Sequence, residues 1–303
     1  MKLEVRDIEY FAVVAQHGHV GRAAEELGLS QPALSKSLRR LEQSLGTKLV
    51  KRTPKGVDLT AVGSALFARV RGLQLSLDDI AREAADLSEG RSGRLNVGTG
   101  PFFAEFLLPH VCGTLLTSAP KLAVSVTITS SNQTLLPLLR HGELDVVVNH
   151  VRSEPTLYDG LVREPLWDNE FVVCCSATHG LAKRKSLVLA DLVNERWVTS
   201  AGSAYSSLES LTRMFANQGL PAPQIALTSD SATLNYHTVS TTDFLWYTTK
   251  LNARHAGLKF LPVKDVQRRP VAAVYRRDAY LSPAALRFIQ MLKAAAREIV
   301  KKG

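Results

Sequence analysis

No uninterrupted apolar run in this chain approaches twenty residues, so the sequence offers no helix able to span a bilayer. Its start, MKLEVRDIEYF, carries acids where a secretory signal needs a basic segment followed by an apolar one. Cysteine is scarce: Cys112, Cys174 and Cys175 form neither a disulfide framework nor a metal-ligand spacing. A reducing cytoplasm is the expected compartment. Catalytic signatures are also missing, with no P-loop, GxSxG or HExxH and no glycine-rich dinucleotide fingerprint after the first predicted strand. The histidines (His17, His19, His110, His141, His150, His179, His237 and His255) are scattered through turns, helices and loops. Each is expected to be solvated or locally bonded rather than a metal ligand. Neither catalysis nor a cofactor is expected.

What is present fits an ordinary globular protein. With 45% apolar and 21% charged residues over 303 positions, the chain can build two or three domains with full cores. The net charge of +9 permits a polyanionic partner, and its distribution is more informative than its size. Between residues 30 and 56, Lys36, Arg39, Arg40, Lys48, Lys51, Arg52 and Lys55 face one acid, Glu42; seven minus one leaves +6.

That basic run overlaps a helix-turn-helix pattern at 20–45. Residues 6–17 read as a first helix, with Ile8, Phe11, Ala12 and Ala15 at core spacing and Gly18 ending it. Residues 20–27 read as a second, in which Ala23 and Ala24 allow a close crossing. Gly28 then supplies a turn where a positive φ is cheap for glycine. In the third helix Leu38, Leu41 and Leu45 fall within about 40° of Leu34, one buried stripe. Pro32, Lys36, Arg39 and Gln43 lie opposite. An apolar back with a cationic, amide-bearing front is what a helix needs to lie in the major groove of DNA. Ser30 is suited to N-cap this helix and Pro32 to its first turn. Gln31 can offer its amide to an adenine edge or a phosphate. Residues 48–60 read as a hairpin turning at Pro54-Lys55-Gly56, a basic wing reaching phosphate or minor groove. The expected DNA-contacting set is Ser30, Gln31, Pro32, Ser35, Lys36, Arg39, Arg52, Thr53 and Lys55.

In order, Phe11, Ala23-Ala24, Leu29-Ser30-Gln31-Pro32-Ala33-Leu34-Ser35, Leu41-Glu42, Leu45-Gly46, Leu49, Arg52 and Leu59-Thr60-x-x-Gly63 resemble the N-terminal domain of the LysR-type transcriptional regulators. The resemblance implies a partner, double-stranded promoter DNA. A long helix follows to about residue 88, capped by Thr60. Its apolar positions Leu66, Val70, Leu73, Leu77, Ile80, Ala84 and Leu87 repeat at 4, 3, 4, 3, 4, 3, a heptad seam. Arg69, Arg71, Asp78, Asp79, Arg82 and Asp86 stay off that seam. Such a helix extends about 40 Å and can pair with its copy, so that two recognition helices read half-sites a turn of DNA or a multiple apart. Family resemblance implies a homo-oligomer, dimeric through 61–88 and assembling as a tetramer, with RNA polymerase a candidate contact.

Beyond a hinge-like Gly90-Arg91-Ser92-Gly93, strands are predicted at 94–98, 123–128, 144–148, 171–176, 196–199, 224–227, 244–248, 259–263 and 271–276. Helices are expected near 102–117, 132–141, 205–217 and 231–240. The last helix, 283–301, carries an apolar stripe of Leu286, Ile289, Leu292, Ala296 and Ile299. The alternation indicates α/β structure. The resemblance implies two subdomains like periplasmic solute-binding proteins, with the chain crossing near 161–166 and 264–270. The expected fold is thus α/β multidomain: a winged helix-turn-helix (1–60), a linker helix (61–89) and an effector domain (90–303). Lobe 1 of that domain is 90–161 with 268–303, and lobe 2 is 162–267.

Ligands of open α/β sheets gather beyond the carboxyl ends of strands, at helix N-termini. Thr99-Gly100-Pro101-Phe102, Ser130-Ser131 and Ser200, Gly202 and Ser203 occupy such positions, and Asn149 can add an amide. By resemblance they line an effector cleft, here expected to hold a small organic acid or other anion. The hydroxyl residues are equally suited to capping. Phe102, Trp167, Phe244, Trp246 and Tyr247 are expected mostly in cores. Many relatives have a glycine-rich turn ahead of the strand near 244. Thr241-Thr242-Asp243-Phe244 replaces it here and would narrow or repolarise that side of the cleft. Ligand binding would alter subunit geometry, and with it half-site spacing or DNA bend. One alternative is a redox-responsive regulator of this fold, disfavoured because neighbouring Cys174 and Cys175 point to opposite faces of a strand. Others are a plain solute-binding module and an enzyme carrying a regulatory DNA-binding domain.

Overall fold

A computed structural model describes residues 3–54, 56–89, 93–129, 131–152, 154–200, 207–263 and 267–302. Two compact units form, Met1–Arg82 and Glu83–Gly303. Three helices build the first: α1 (Val5–His17), α2 (Val20–Glu26) and α3 (Gln31–Leu45). Gly18, Gly28 and Gly46 end them with φ of 60°, 64° and 68°. Before α3 the Ser30 hydroxyl accepts the Ala33 N–H at 3.4 Å, and Pro32 occupies the first turn. Leu34, Leu38 and Leu41 are buried against Phe11, Val14, Ala23, Ala24 and Leu49, with Leu45 partly covered. Each such burial contributes about 1.5–3 kcal/mol.

The wing is the antiparallel pair β1 (Val50–Thr53) and β2 (Gly56–Leu59). It lies against the α1–α2 turn, where Val57 donates its N–H to the Gly18 carbonyl at 2.8 Å. A Cβ at Gly56 would come within 2.2 Å of that carbonyl oxygen, so no side chain fits there. Thr60 accepts the Gly63 N–H at 3.0 Å and opens α4 (Ala61–Glu89), while its hydroxyl donates to the Lys48 carbonyl at 2.7 Å. Gly63 is equally constrained, since a Cβ would sit 2.0 Å from the Leu49 carbonyl oxygen. Of the heptad seam on α4, Leu66 is half-buried and Val70 buried. Leu73, Leu77, Ile80 and Leu87 stay 59–81% exposed.

The second unit runs β3 (Arg94–Thr99), α5 (Pro101–Phe106), α6 (Leu108–Ser118), β4 (Ala123–Ile128), α7 (Asn132–Arg140) and β5 (Val146–His150). It continues with β6 (Leu161–Cys175), β7 (Arg196–Thr199), α8 (Ser207–Asn217), β8 (Gln224–Thr228), α9 (Ala232–Thr241), β9 (Leu245–Thr249) and α10 (Lys250–His255). It closes with β10 (Lys259–Phe260), β11 (Arg268–Arg276) and α11 (Pro283–Lys302). The strands join in one mixed sheet of order β4-β3-β5-β11-β6-β9-β7-β8, with β10 on β6. Two α/β lobes share it, each with its own core: Leu95, Val97, Phe103, Trp167, Phe288 and Leu292 in one, Val173, Trp197, Phe215 and Tyr247 in the other. The long strands β6 and β11 connect them, paired antiparallel from Arg268↔Glu170 to Arg276↔Leu161. A register shift at Val271/Ala272 leaves Leu166 without a counterpart beside Pro165, which has no N–H to give a ladder.

Four expectations change. The helix near 102–117 is two helices, interrupted where Pro109 in the first turn of α6 withholds an N–H. The strand at 171–176 is the end of the fifteen-residue β6, which absorbs the crossing segment. The short α10 had no periodicity by which to be recognised. On α11, Leu286 is 47% exposed, and Ala285 and Phe288 join Ile289, Leu292 and Ala296 inside. Leu286 lies one position, about 100°, round the helix from Ala285. Residues 90–92 of the hinge-like tetrapeptide lie outside the described residues. Among the described residues no helix is long and apolar enough to cross a membrane.

Candidate functional site

On the first unit, Ser30, Gln31, Pro32, Lys36, Arg39 and Arg52 are exposed and Ser35 and Thr53 half-buried. Ser35, Arg39 and Arg52 line one hollow between α3 and the wing. Lys55 lies outside the described residues. Among the described residues Lys36, Arg39 and Arg52 have no ion pair, which leaves their charge available to a partner. Arg40, from the same basic run, is otherwise engaged: Nε and Nη2 donate to the Asp7 carboxylate at 2.6 and 2.5 Å. With Ser37 donating to the same carboxylate, α1 is tied to α3. The Arg40 hydrogen bond, against burial, holds the Asp7 carboxyl below its ordinary range.

Glu42, read from the sequence only as the lone acid of the run, fixes the wing. Its buried carboxylate accepts the N–H groups of Leu49 at 3.0 Å and Val50 at 3.4 Å, and pairs with Lys48 at 2.6 Å. Burial pushes its pKa up, but Lys48 and the two backbone donors outweigh burial and hold it down. The wing strand carrying Arg52 is thereby held to α3.

Between the lobes of the second unit lies a cavity of about 130 Å³. Gly100, Pro101 and Phe102 line it at the start of α5, Asn149 at the end of β5 and Ser200 after β7. Thr99 does not: it is fully buried, and its hydroxyl donates to the Val148 carbonyl at 2.8 Å. Strand alternation turns it into the sheet. Ser131 precedes α7 and does not reach the cavity lining. Ser130, Gly202 and Ser203 lie outside the described residues. Ser200 is both lining and cap-like, since its N–H donates to the Ser207 hydroxyl at 2.7 Å and the two hydroxyls lie 3.0 Å apart. The Thr241–Phe244 turn does not line the cavity. The carbonyl of Asp243 accepts from His179 Nε2 at 2.9 Å, and Phe244 sits 4.4 Å from the Arg196 guanidinium.

The chemistry of the cavity rests on residues that pattern did not disclose. Arg269, on β11, is 9% exposed; it donates to the Ser210 hydroxyl and to Gln267 Oε1 at 3.4 Å, and lies 4.4 Å over the Phe171 ring. His150, expected in a loop or helix, ends β5 inside the cavity. Burial first, and the Arg269 charge second, push its pKa down to about 3, so it is neutral. Asn169 Nδ2 lies 3.1 Å from its Nε2. An amide nitrogen only donates, so Nε2 accepts and the ring proton is assigned to Nδ1. Asn132 and Asn149 brace this end of the cavity, Asn149 Nδ2 donating to Asn132 Oδ1 at 2.9 Å and Asn132 Nδ2 to the His150 carbonyl at 2.8 Å. Of the aromatics, Phe102 and Trp246 line the cavity, while Trp167 and Tyr247 pack in the two cores. Among the described residues no cluster of three or more His, Cys, Asp or Glu is placed to hold a metal ion.

The cysteines are free. Cys175 packs into the core around Trp197 and Cys174 into one around Trp246, on opposite faces of β6. Burial pushes Cys174 well above the usual thiol range, Cys175 to about 11, and Cys112 upward as well.

Comparison with known proteins covers both units. Residues 5–64 match the bacterial regulatory helix-turn-helix protein of the lysR family, and residues 88–297 match the LysR substrate binding domain. The chain is 32% identical over 194 residues to the DNA-binding transcriptional dual regulator OxyR of Escherichia coli (strain K12). That match takes in 64% of this chain and 62% of the relative's length. It is 28% identical to the HTH-type transcriptional regulator GbpR of Azospirillum brasilense, across 97% of this chain and 87% of GbpR. Among solved structures, a full-length OxyR variant from Pseudomonas aeruginosa superposes with a TM-score of 0.64 at 23% identity, covering 98% of this chain and 95% of that one. Full-length CbnR complexed with its target DNA gives a TM-score of 0.58 at 21% identity, covering 97% and 100%. With an exposed cationic face on a winged helix-turn-helix, an interlobe cavity and both domain matches in place, the chain belongs to the LysR family of bacterial regulatory proteins.

Proposed function

We propose that this protein is a transcription regulator that binds double-stranded promoter DNA with residues 1–60 and senses a small anion in the interlobe cavity. The observation that carries the first half is the exposed face of α3 and wing. Gln31 supplies the base-reading group at the helix N-terminus, Lys36 and Arg39 the cations of the front, and Arg52 the wing contact. CbnR, of the same fold, is solved on its target DNA. Arg269 beside neutral His150 supports the second half, because a guanidinium suits a carboxylate. The exposed seam Leu73, Leu77, Ile80 and Leu87 supports dimerisation through 61–89, with a tetramer as the working assembly. Residues 90–161 with 268–303, and 162–267, would then move relative to each other on ligand binding. Regulation rather than turnover is the activity.

Arg52→Ala should weaken binding to all duplexes and reduce the slope of log K against log salt by about one. Gln31→Ala should instead narrow the gap between specific and non-specific duplexes, by roughly 1–3 kcal/mol per lost base contact. Fluorescence anisotropy over a salt series measures both, and wild-type behaviour of both variants would overturn this reading surface.

Several relatives are named as hydrogen peroxide-inducible genes activators. The thiols here argue against peroxide sensing by cysteine, because all three are held as thiols and the thiolate is the reactive form. A variant lacking all three cysteines should keep its regulatory response.

A further inference from the structure

The cavity is lined by acceptors as well as donors. Asn235, in the first turn of α9, lines it and is 2% exposed. Its Nδ2 donates to the Ser229 carbonyl at 2.9 Å. A carbonyl accepts only, so the amide cannot be turned round without losing that bond. Its Oδ1 therefore faces the other way, buried and without a hydrogen-bond partner among the described residues. Asn252, on α10, lies 3.0 Å through Nδ2 from the Thr248 hydroxyl, and its Oδ1 is buried without a partner among the described residues; a hydroxyl can also donate, so Asn235 carries the argument and Asn252 only supports it. The Asp230 carboxylate lines the same cavity. An unmet buried acceptor is rare in folded proteins and points to a group that arrives with the ligand.

We infer that the effector is a small carboxylic acid that also carries a hydroxyl or amino group, whose hydrogen is donated to the Asn235 side-chain oxygen. This rests on the anion reading above: Arg269, with neutral His150 in the same lining, receives the carboxylate. An unsubstituted acid answers the donors but leaves Asn235 unmet. A fully ionised inorganic anion does the same. A substituted acid answers both poles, an ammonium gaining further from Asp230 and a hydroxyl from Asn235 and Asn252 alone.

The test is calorimetric titration of the full-length protein with three matched sets: succinate, malate and aspartate; glutarate, 2-hydroxyglutarate and glutamate; 3-phenylpropionate, phenyllactate and phenylalanine. In at least one set the hydroxy or amino member should bind ten-fold or more tightly than its parent. Asn235→Leu should shrink that ratio below three-fold, and Asn252→Ala, which guards against misfolding of the first variant, should reduce it partially. A preference for the amino member that Asp230→Asn removes identifies the donor as ammonium; a preference for the hydroxy member identifies a hydroxyl. Parents that bind as tightly as their derivatives, or a ratio that both asparagine variants leave unchanged, would overturn the inference while leaving the anion reading standing. If no acid of any set binds, both fall.

Discussion

The two units both bury polar groups, and they do so to opposite ends. In the first, each buried carboxylate is answered from within: Asp7 by Ser37 and Arg40, Glu42 by Lys48 and two backbone N–H groups, Asp79 by Arg82. Charge without an ion pair among the described residues is left to the outside, on Lys36, Arg39 and Arg52. In the second, polar groups converge inward, and the oxygens of Asn235 and Asn252 have no partner among the described residues. The first arrangement is pre-organised to meet a partner of fixed shape, with little ordering to be done on contact. The second keeps hydrogen-bonding capacity for a small molecule that has to be recognised by its functional groups.

Acid should separate the units most. The His150 pKa is depressed from 6.5 to about 3, so the unfolded state takes up its proton first as pH falls. The stabilisation from a neutral His150 is complete above 6.5 and is lost between 6.5 and about 3, by roughly 3 kcal/mol at pH 4. Asp7 and Glu42, lowered from 3.8 and 4.5, act only below those ordinary values. The second unit should therefore soften first. Trp167, Trp197 and Trp246 all lie in it, so tryptophan emission reports that unit and amide exchange the other. Loss of both at one pH, or an unchanged slope in His150→Gln, would break the contrast. Next in size, Glu42→Ala strands the Leu49 and Val50 N–H groups and should cost about 2 kcal/mol of the first unit's stability. It should also blur the wing footprint on DNA before the α3 footprint is affected. Glu42→Gln should restore part of both.

Thr99→Val should cost about 1 kcal/mol through the lost bond to Val148 and leave effector affinity unchanged. A large affinity loss in calorimetry would return Thr99 to the site. Smallest of all, Leu77→Ser should alter the monomer's own stability by less than about 0.5 kcal/mol, since the side chain is exposed. Sedimentation should nonetheless show weaker self-association; an unchanged oligomer would remove the seam from the interface.

What the sequence disclosed follows the same division. The stripe of α3, its Ser30 cap, the wing and the start of α4 are set by neighbours within a turn or a hairpin, so spacing alone reveals them. The requirement for Gly63 needed the Leu49 carbonyl brought from across the hairpin. In the cavity, Gly100, Pro101, Phe102, Asn149 and Ser200 were legible because strand ends announce themselves. Arg269, His150 and Asn235 were not, because each sits in an unremarkable local pattern and acquires its function only where β11, β5 and α9 converge. Leu286 marks the opposite failure: period alone cannot choose between faces offset by one residue.

A ribbon of two hydrogen-bonded strands resists stretching and sliding, yet bends readily where a rung of its ladder is missing. Pro165 and the extra Leu166, opposite Val271 and Ala272, give the β6–β11 ribbon one such compliant point between the lobes. Their motion then resembles the flexing of a leaf spring more than the swing of a free hinge. Any displacement on ligand binding would then be a change of curvature, elastically opposed. Release of the ligand would let the sheet recoil, resetting the protein with no further input of energy.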